Sequence, residues 1–114
     1  MKLNPLAFDQ ISNGAKTYEI RLYDKKRRKM KVGDKIVFSK LPTLESKIEV
    51  SVLNLVAANS FVELFGMFNP VFAGWKEEDS PDKCAEDMSK YYSVEDQKKY
   101  RVVAIEIELN EQIF

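Results

Sequence analysis

The first periodicity in the chain is helical. Ala7, Phe8 and Ile11 recur at i, i+1 and i+4 behind Asn4-Pro5, a capping side chain followed by the residue that best tolerates the first helical position. Leu3 before the cap and Phe8 in the fourth helical position form a hydrophobic staple, and Asn13-Gly14 supplies the stop. The period then switches to two. Tyr18, Ile20 and Leu22 alternate with Thr17, Glu19 and Arg21, so a strand buries the first set and presents the second.

A basic loop follows, and Lys31-Val32-Gly33-Asp34 turns into a strand over Lys35–Ser39. Leu41-Pro42-Thr43 breaks the chain again. The alternation Ile48, Val50, Val52 slips phase to Leu53 and Leu55, which predicts a β-bulge or a bend at a barrel corner. Ser60-Phe61-Val62-Glu63 is a capping box with Phe61, Leu64, Phe65 and Phe68 as the apolar face behind it. Residues 69–80 read as a loop carrying Trp75. Ser80-Pro81 starts a further helix with Cys84, Met88, Tyr91 and Tyr92 on one face, and Ser93 with Asp96 caps a short one ending near Tyr100. Val103, Ile105, Ile107 and Leu109 then alternate with Ala104, Glu106 and Glu108 as a half-buried strand. Four or five strands with helices between them predict an α+β domain around a small curved sheet or barrel.

Composition narrows the class. The 114 residues suit one domain, expected over 1–114, and 45% hydrophobic with 32% charged residues is ordinary globular composition. No apolar run reaches the ~18 residues of a membrane helix, and the first residues lack the apolar stretch of a signal peptide. Cys84 is the only cysteine and there is no histidine, which removes an intrachain disulfide and the commonest general base and metal ligand. No cofactor and no metal are expected, and a reducing cytoplasm is the expected location. The zero net charge conceals a division. Residues 1–60 hold 12 Lys/Arg against 6 Asp/Glu and residues 61–114 the reverse, returning the 18 and 18 of the chain. Lys25, Lys26, Arg27, Arg28, Lys29 and Lys31 are concentrated in the basic half, which points to an anionic partner such as nucleic acid.

Gly14-Ala15-Lys16-Thr17-Tyr18-Glu19-Ile20-Arg21 resembles the G-x-K-x-x-E-x-R signature of the ASCH family (activating signal cointegrator homology). The Pro5-Leu6-Ala7-Phe8 helix before it, Leu22-Tyr23-Asp24 after it and Lys31-Val32-Gly33-Asp34 are similar in order and spacing. So are Glu86-Asp87-Met88, Tyr91-Tyr92-Ser93 and Tyr100–Glu106, which match a bacterial branch of that family. The resemblance implies a PUA-like fold, a small mixed β-barrel with helices over its openings, and a partner that is RNA, a nucleotide or a nucleoside, with no membrane.

In a strand Glu19 and Arg21 share a face, and Lys16 stands where the strand leaves the Gly14 turn. A carboxylate-held Arg21 presents its free N–H groups to phosphate or a base edge, with Lys16 as a point charge. On an exposed strand the same residues would be an ion pair worth ~0–1 kcal/mol. Lys16, Glu19, Arg21, Lys25, Arg27, Arg28 and Tyr92 are therefore the candidate ligand-binding residues. Tyr91 and Phe65 are expected in the core, while Tyr92, Tyr100 and Trp75 fit either the core or a base-stacking role.

The resemblance also carries an enzymatic alternative: a small amidohydrolase acting on acetylcytidine or a related modified nucleoside, or a ribonuclease. It implies a Lys, a Thr and a Glu as working residues. Lys16 matches the lysine; Glu19 stands in the place of the threonine; the glutamate falls near Glu77, Glu78 or Asp79. That acidic run offers oxygens for catalysis or for Mg²⁺, and otherwise is a solvated loop. A third class, a protein-interaction module using the acidic half, has no motif behind it.

Overall fold

The computed structural model describes the backbone of residues 1–112 and the side chains of residues 1–110, so the last two positions of the expected 1–114 domain lie outside the described residues. The elements in chain order are β1 (Lys2–Leu3), α1 (Pro5–Ser12), β2 (Tyr18–Leu22), α2 (Lys25–Arg28), β3 (Lys35–Lys40) and β4 (Lys47–Ala58). There follow α3 (Phe61–Leu64), a 3₁₀ turn (Pro70–Ala73), α4 (Pro81–Met88), α5 (Val94–Tyr100) and β5 (Val102–Gln112). The five strands form one curled sheet in the order β1-β3-β4-β5-β2, with β1 parallel to β3 and the other neighbours antiparallel. This is the α+β architecture expected, drawn as a half-barrel. The backbone ladder runs from β1 to β2 and does not join those two edges.

Local chemistry accounts for the helix starts. Asn4, Ser60, Ser80 and Ser93 each accept a hydrogen bond from a backbone N–H in the first turn, relieving one of the donors that a helix start leaves unpaired. α1 ends at Asn13, and Gly14 at φ 84° turns the chain toward β2 without the steric penalty of a side chain. The basic stretch expected as loop begins instead as α2, because Asp24 accepts from the Arg27 N–H and caps it. Inside residues 69–80, Asn69 caps the 3₁₀ turn, and Gly74 closes it at φ 104°.

The sheet divides two apolar clusters. Phe8 and Ile11 of α1 pack on its inner face with Phe38, Ile48, Val50, Val103 and Ile105. On the outer face Phe61, Leu64, Phe65, Cys84 and Met88 cover Ile20, Val102 and Ala104. β5, last in sequence and central in space, is thus dry on both faces over Val102–Ile105 rather than half-buried as its alternation suggested. The expected phase slip exists as register shifts between Glu49 and Val50 and between Val52 and Asn54. It does not bury the residue named for it, since Leu53 lies on the bulge and is 45% exposed. Tyr91 is a second correction. α4 stops at Met88, so Tyr91 leaves the helical face and is 77% exposed rather than in the core.

Candidate functional site

The open seam between β1 and β2 is where the motif residues gather. Gly14 N–H bonds to the Ile11 carbonyl and Lys16 N–H to that of Gln10, which ties the turn back onto α1. Thr17 N–H then bonds to the Phe72 carbonyl at 2.7 Å and its own carbonyl accepts from Ile107 N–H at 2.8 Å. The Lys16 stem passes Gly74, where an added Cβ would lie 3.8 Å from its Cδ and 3.0 Å from Gln10 Oε1. Backbone contacts on three elements therefore fix where the lysine enters β2.

On β2, Glu19 and Arg21 pair in register with Ile105 and Val103, so they share the inner face of the half-barrel at its edge. Glu19 is 5% exposed, a buried carboxylate rather than a solvent-facing one. Its Oε1 lies 3.0 Å from Lys16 Nζ, and its Oε2 accepts from Arg21 Nη2 at 2.9 Å and Nε at 3.1 Å. Arg21 Nη2 also reaches the Lys2 carbonyl at 3.4 Å, so one guanidinium spans the gap between the two sheet edges. Arg21 Nη1 makes no protein hydrogen bond among the described residues, and the Lys16 ammonium has Glu19 as its ion-pair partner. An ion triad of this kind has few free rotamers and keeps donors available for an anion.

A hollow of about 340 Å³ opens beside the triad. Ile20, Ala73 and Met88 are among its lining residues, Trp75, Tyr91 and Tyr92 supply aromatic surface, Lys16 and Arg21 meet the single carboxylate of Glu19, and Lys2 lies in the lining beside them. Two of the aromatics are locked. Trp75 donates its indole N–H to Asp87 Oδ2 at 3.0 Å and meets Phe65 edge-on at 4.9 Å; Tyr92 stacks on Phe61 at 5.9 Å. The bond from Trp75, then that from Lys83, holds the Asp87 carboxyl down to about 2. A preset aromatic wall beside half-buried cationic donors is suited to a flat, anionic ligand.

The remaining candidates are placed elsewhere. Arg27 pairs with Asp24 at 3.1 Å, and Arg28 lies over the Tyr23 ring at 4.4 Å while donating to the Tyr100 carbonyl. Arg27 closes onto the cap of its own helix, Arg28 ties α2 to Tyr23 and Tyr100, Lys25 is exposed, and none of the three lines the hollow. Glu77 and Glu78 are exposed and outside its lining, whereas Asp79 accepts from Lys76 N–H and lies 3.6 Å from Lys83. A second hollow of about 360 Å³ lies beyond Lys16 and Thr17, with Ile11, Leu53, Ile107 and Leu109 in its walls. Its lining is mostly apolar and lacks the ion triad. Among the described residues no group of three or more Cys, Asp or Glu could hold a metal ion, and no helix is long and apolar enough to cross a membrane.

Lys2, in the cleft lining, and Asp87, which holds Trp75, are the candidate residues that sequence reasoning missed. Asp87 is 12 positions from Trp75 and carries no local signal of that contact; Lys2 belongs to a strand too short for a periodicity to reveal.

A family model described as ASCH domain matches residues 1–111. Among solved structures, the hypothetical protein PH0355 superposes with a TM-score of 0.79 at 33% identity, covering 96% of this chain and 100% of its own. Protein PF0455 from Pyrococcus furiosus gives 0.70 at 31% identity, covering 97% of this chain and 99% of its own. ZmASCH from Zymomonas mobilis gives 0.66 at 15% identity, with 99% of this chain matched to 70% of that one, a likeness of fold. No curated protein matches the chain at a significant level.

Proposed function

The chain belongs to the ASCH domain family, a PUA-like fold, and from that premise we propose that it binds RNA or a nucleotide in the seam cleft. The base lies against Trp75 and Tyr92 with Tyr91 at the rim, and the phosphate is held by Arg21 and Lys16. The observation that carries this reading is Glu19, buried and bonded to both Lys16 and Arg21 on the wall of an aromatic hollow. A carboxylate so placed fixes two cations at the price of its own exposure, which an ordinary strand ion pair does not do. Lys2 is a further basic residue of the lining, in which Glu19 is the single carboxylate. We place the protein in the cytoplasm, in keeping with a lone buried thiol at Cys84.

A hydrolase acting on acetylcytidine has less support. Lys16 Nζ is engaged by Glu19, which stands where the threonine hydroxyl was expected. Glu77 and Glu78 face solvent outside the cleft lining. The test is incubation with acetylcytidine followed by chromatography, alongside anisotropy with short single-stranded RNA. Salt-sensitive binding without product is the expected result, weakened about 10- to 100-fold by Arg21→Ala, the size of one or two charge-assisted hydrogen bonds. Deacetylation or strand cleavage abolished by Lys16→Ala would replace this reading with the enzymatic one.

A further inference from the structure

We infer that the ligand of this cleft is a polymer, a single-stranded RNA whose phosphate chain leaves the hollow across β1 and continues along Lys26 and Lys29. The inference rests on the binding role proposed for the cleft. A third hollow, of about 220 Å³, is lined by Met1, Lys26, Lys29, Met30, Asp34 and Lys35, among others. The cleft is lined by Lys2, the first residue of β1, and this hollow by Met1 just before it, so neighbouring residues of the chain line the two concavities. Their fields meet there. Burial, and then the charges of Lys26, Arg21 and Arg27, push the Met1 ammonium below its ordinary value.

The basic run divides by function. Arg27 and Arg28 are engaged by Asp24 and by Tyr23 and the Tyr100 carbonyl. Lys26 and Lys29, three apart and so neighbours on the surface of the turn, have no ion-pair partner among the described residues. Lys35 is only 4.0 Å from Glu49 and stays 66% exposed. The one carboxylate in this lining, Asp34, accepts from Lys31 N–H. Lysines on exposed stems suit a mobile phosphate chain, to which they contribute charge without fixed geometry. A base held in the cleft must be unstacked, which a single strand allows and a duplex resists.

The test is anisotropy of the full chain with a labelled eight-nucleotide oligocytidylate, with cytidine 5′-monophosphate as competitor, in wild type and in Lys26→Ala/Lys29→Ala. Both lysines are exposed, so the fold is retained. Two lost phosphate contacts reduce the slope of log affinity against log salt by about 1.4, so wild type loses about sevenfold more affinity than the variant between 50 and 200 mM salt. Monophosphate binding is equal in the two proteins. If the monophosphate binds but the oligomer shows the same salt slope in both, the track is wrong and the cleft reading survives. If the monophosphate does not bind and Arg21→Ala leaves the oligomer unaffected, both fail. Inorganic polyphosphate binding as tightly as the oligomer would overturn the assignment to RNA.

Discussion

Replacing Glu19 by Gln keeps the volume of the side chain and removes its charge. The amide oxygen can still accept from Arg21, but its NH₂ then faces the Lys16 ammonium, donor against donor. Two cations that shared one carboxylate at 2.9 and 3.0 Å are left side by side. Breaking a fully buried pair costs about 3–5 kcal/mol. Here the Lys16 and Arg21 side chains keep 11% and 20% of their exposure, so water reaches both and the cost falls to about 2–3 kcal/mol. For a domain of this size that lowers Tm by about 10 °C. Thermal and urea melts read both quantities. Replacing all three residues by apolar ones, Lys16→Met/Glu19→Leu/Arg21→Met, should return stability to near wild type while abolishing binding, since apolar substitutes for a buried ion cluster are often neutral. A Glu19→Gln protein within about 0.5 kcal/mol of wild type would refute this reasoning, because the triad would then behave as a surface pair.

Asp87, held down to about 2 from an ordinary 3.8, contributes stability that is present above about pH 4 and lost as pH falls toward 2. Asp87→Asn should therefore melt with a flatter acid limb and show altered Trp75 fluorescence, and an unchanged acid limb would contradict the assignment. Cys84 is fully buried, and burial and then Asp79 and Asp87 push its thiol up. Its labelling by a thiol reagent should track unfolding in denaturant, and rapid labelling of native protein would show a looser outer core. Gly74→Ala places a side chain at φ 104° and 3.0 Å from Gln10 Oε1, for an expected loss of about 1–2 kcal/mol measured by urea melts.

Helix starts were legible because capping is local: Asn4, Ser60, Ser80 and Ser93 announce themselves within three residues of the bond they make. Two equivalent capping signals lie elsewhere in the chain. Asn69-Pro70 repeats the arrangement of Asn4-Pro5, and Asp24 caps α2 inside a run that charge alone had marked as loop. Val102–Ile105, four apolar residues in succession, already spelled a strand buried on both faces. The motif pointed to Lys16, Glu19 and Arg21 as partners. That their carboxylate is buried depends on α1 and on residues 72–75, brought close only by tertiary folding, which periodicity does not encode. Tyr91 differs from its expected place for a simpler reason: the helical spacing runs three residues past the end of its helix.

The position of β5 has a consequence for how the protein is made. β2, which carries Glu19 and Arg21, has β5 as its only partner strand, and about 80 residues separate the two. At roughly 5–20 residues per second, a ribosome leaves that strand unpaired for about 4–16 s. During that interval the basic segment is available while the cleft does not yet exist. The cleft proposed to bind RNA is completed only when β5 slots into the middle of the sheet, so a nascent chain presents its charge to the surroundings well before the cleft takes shape.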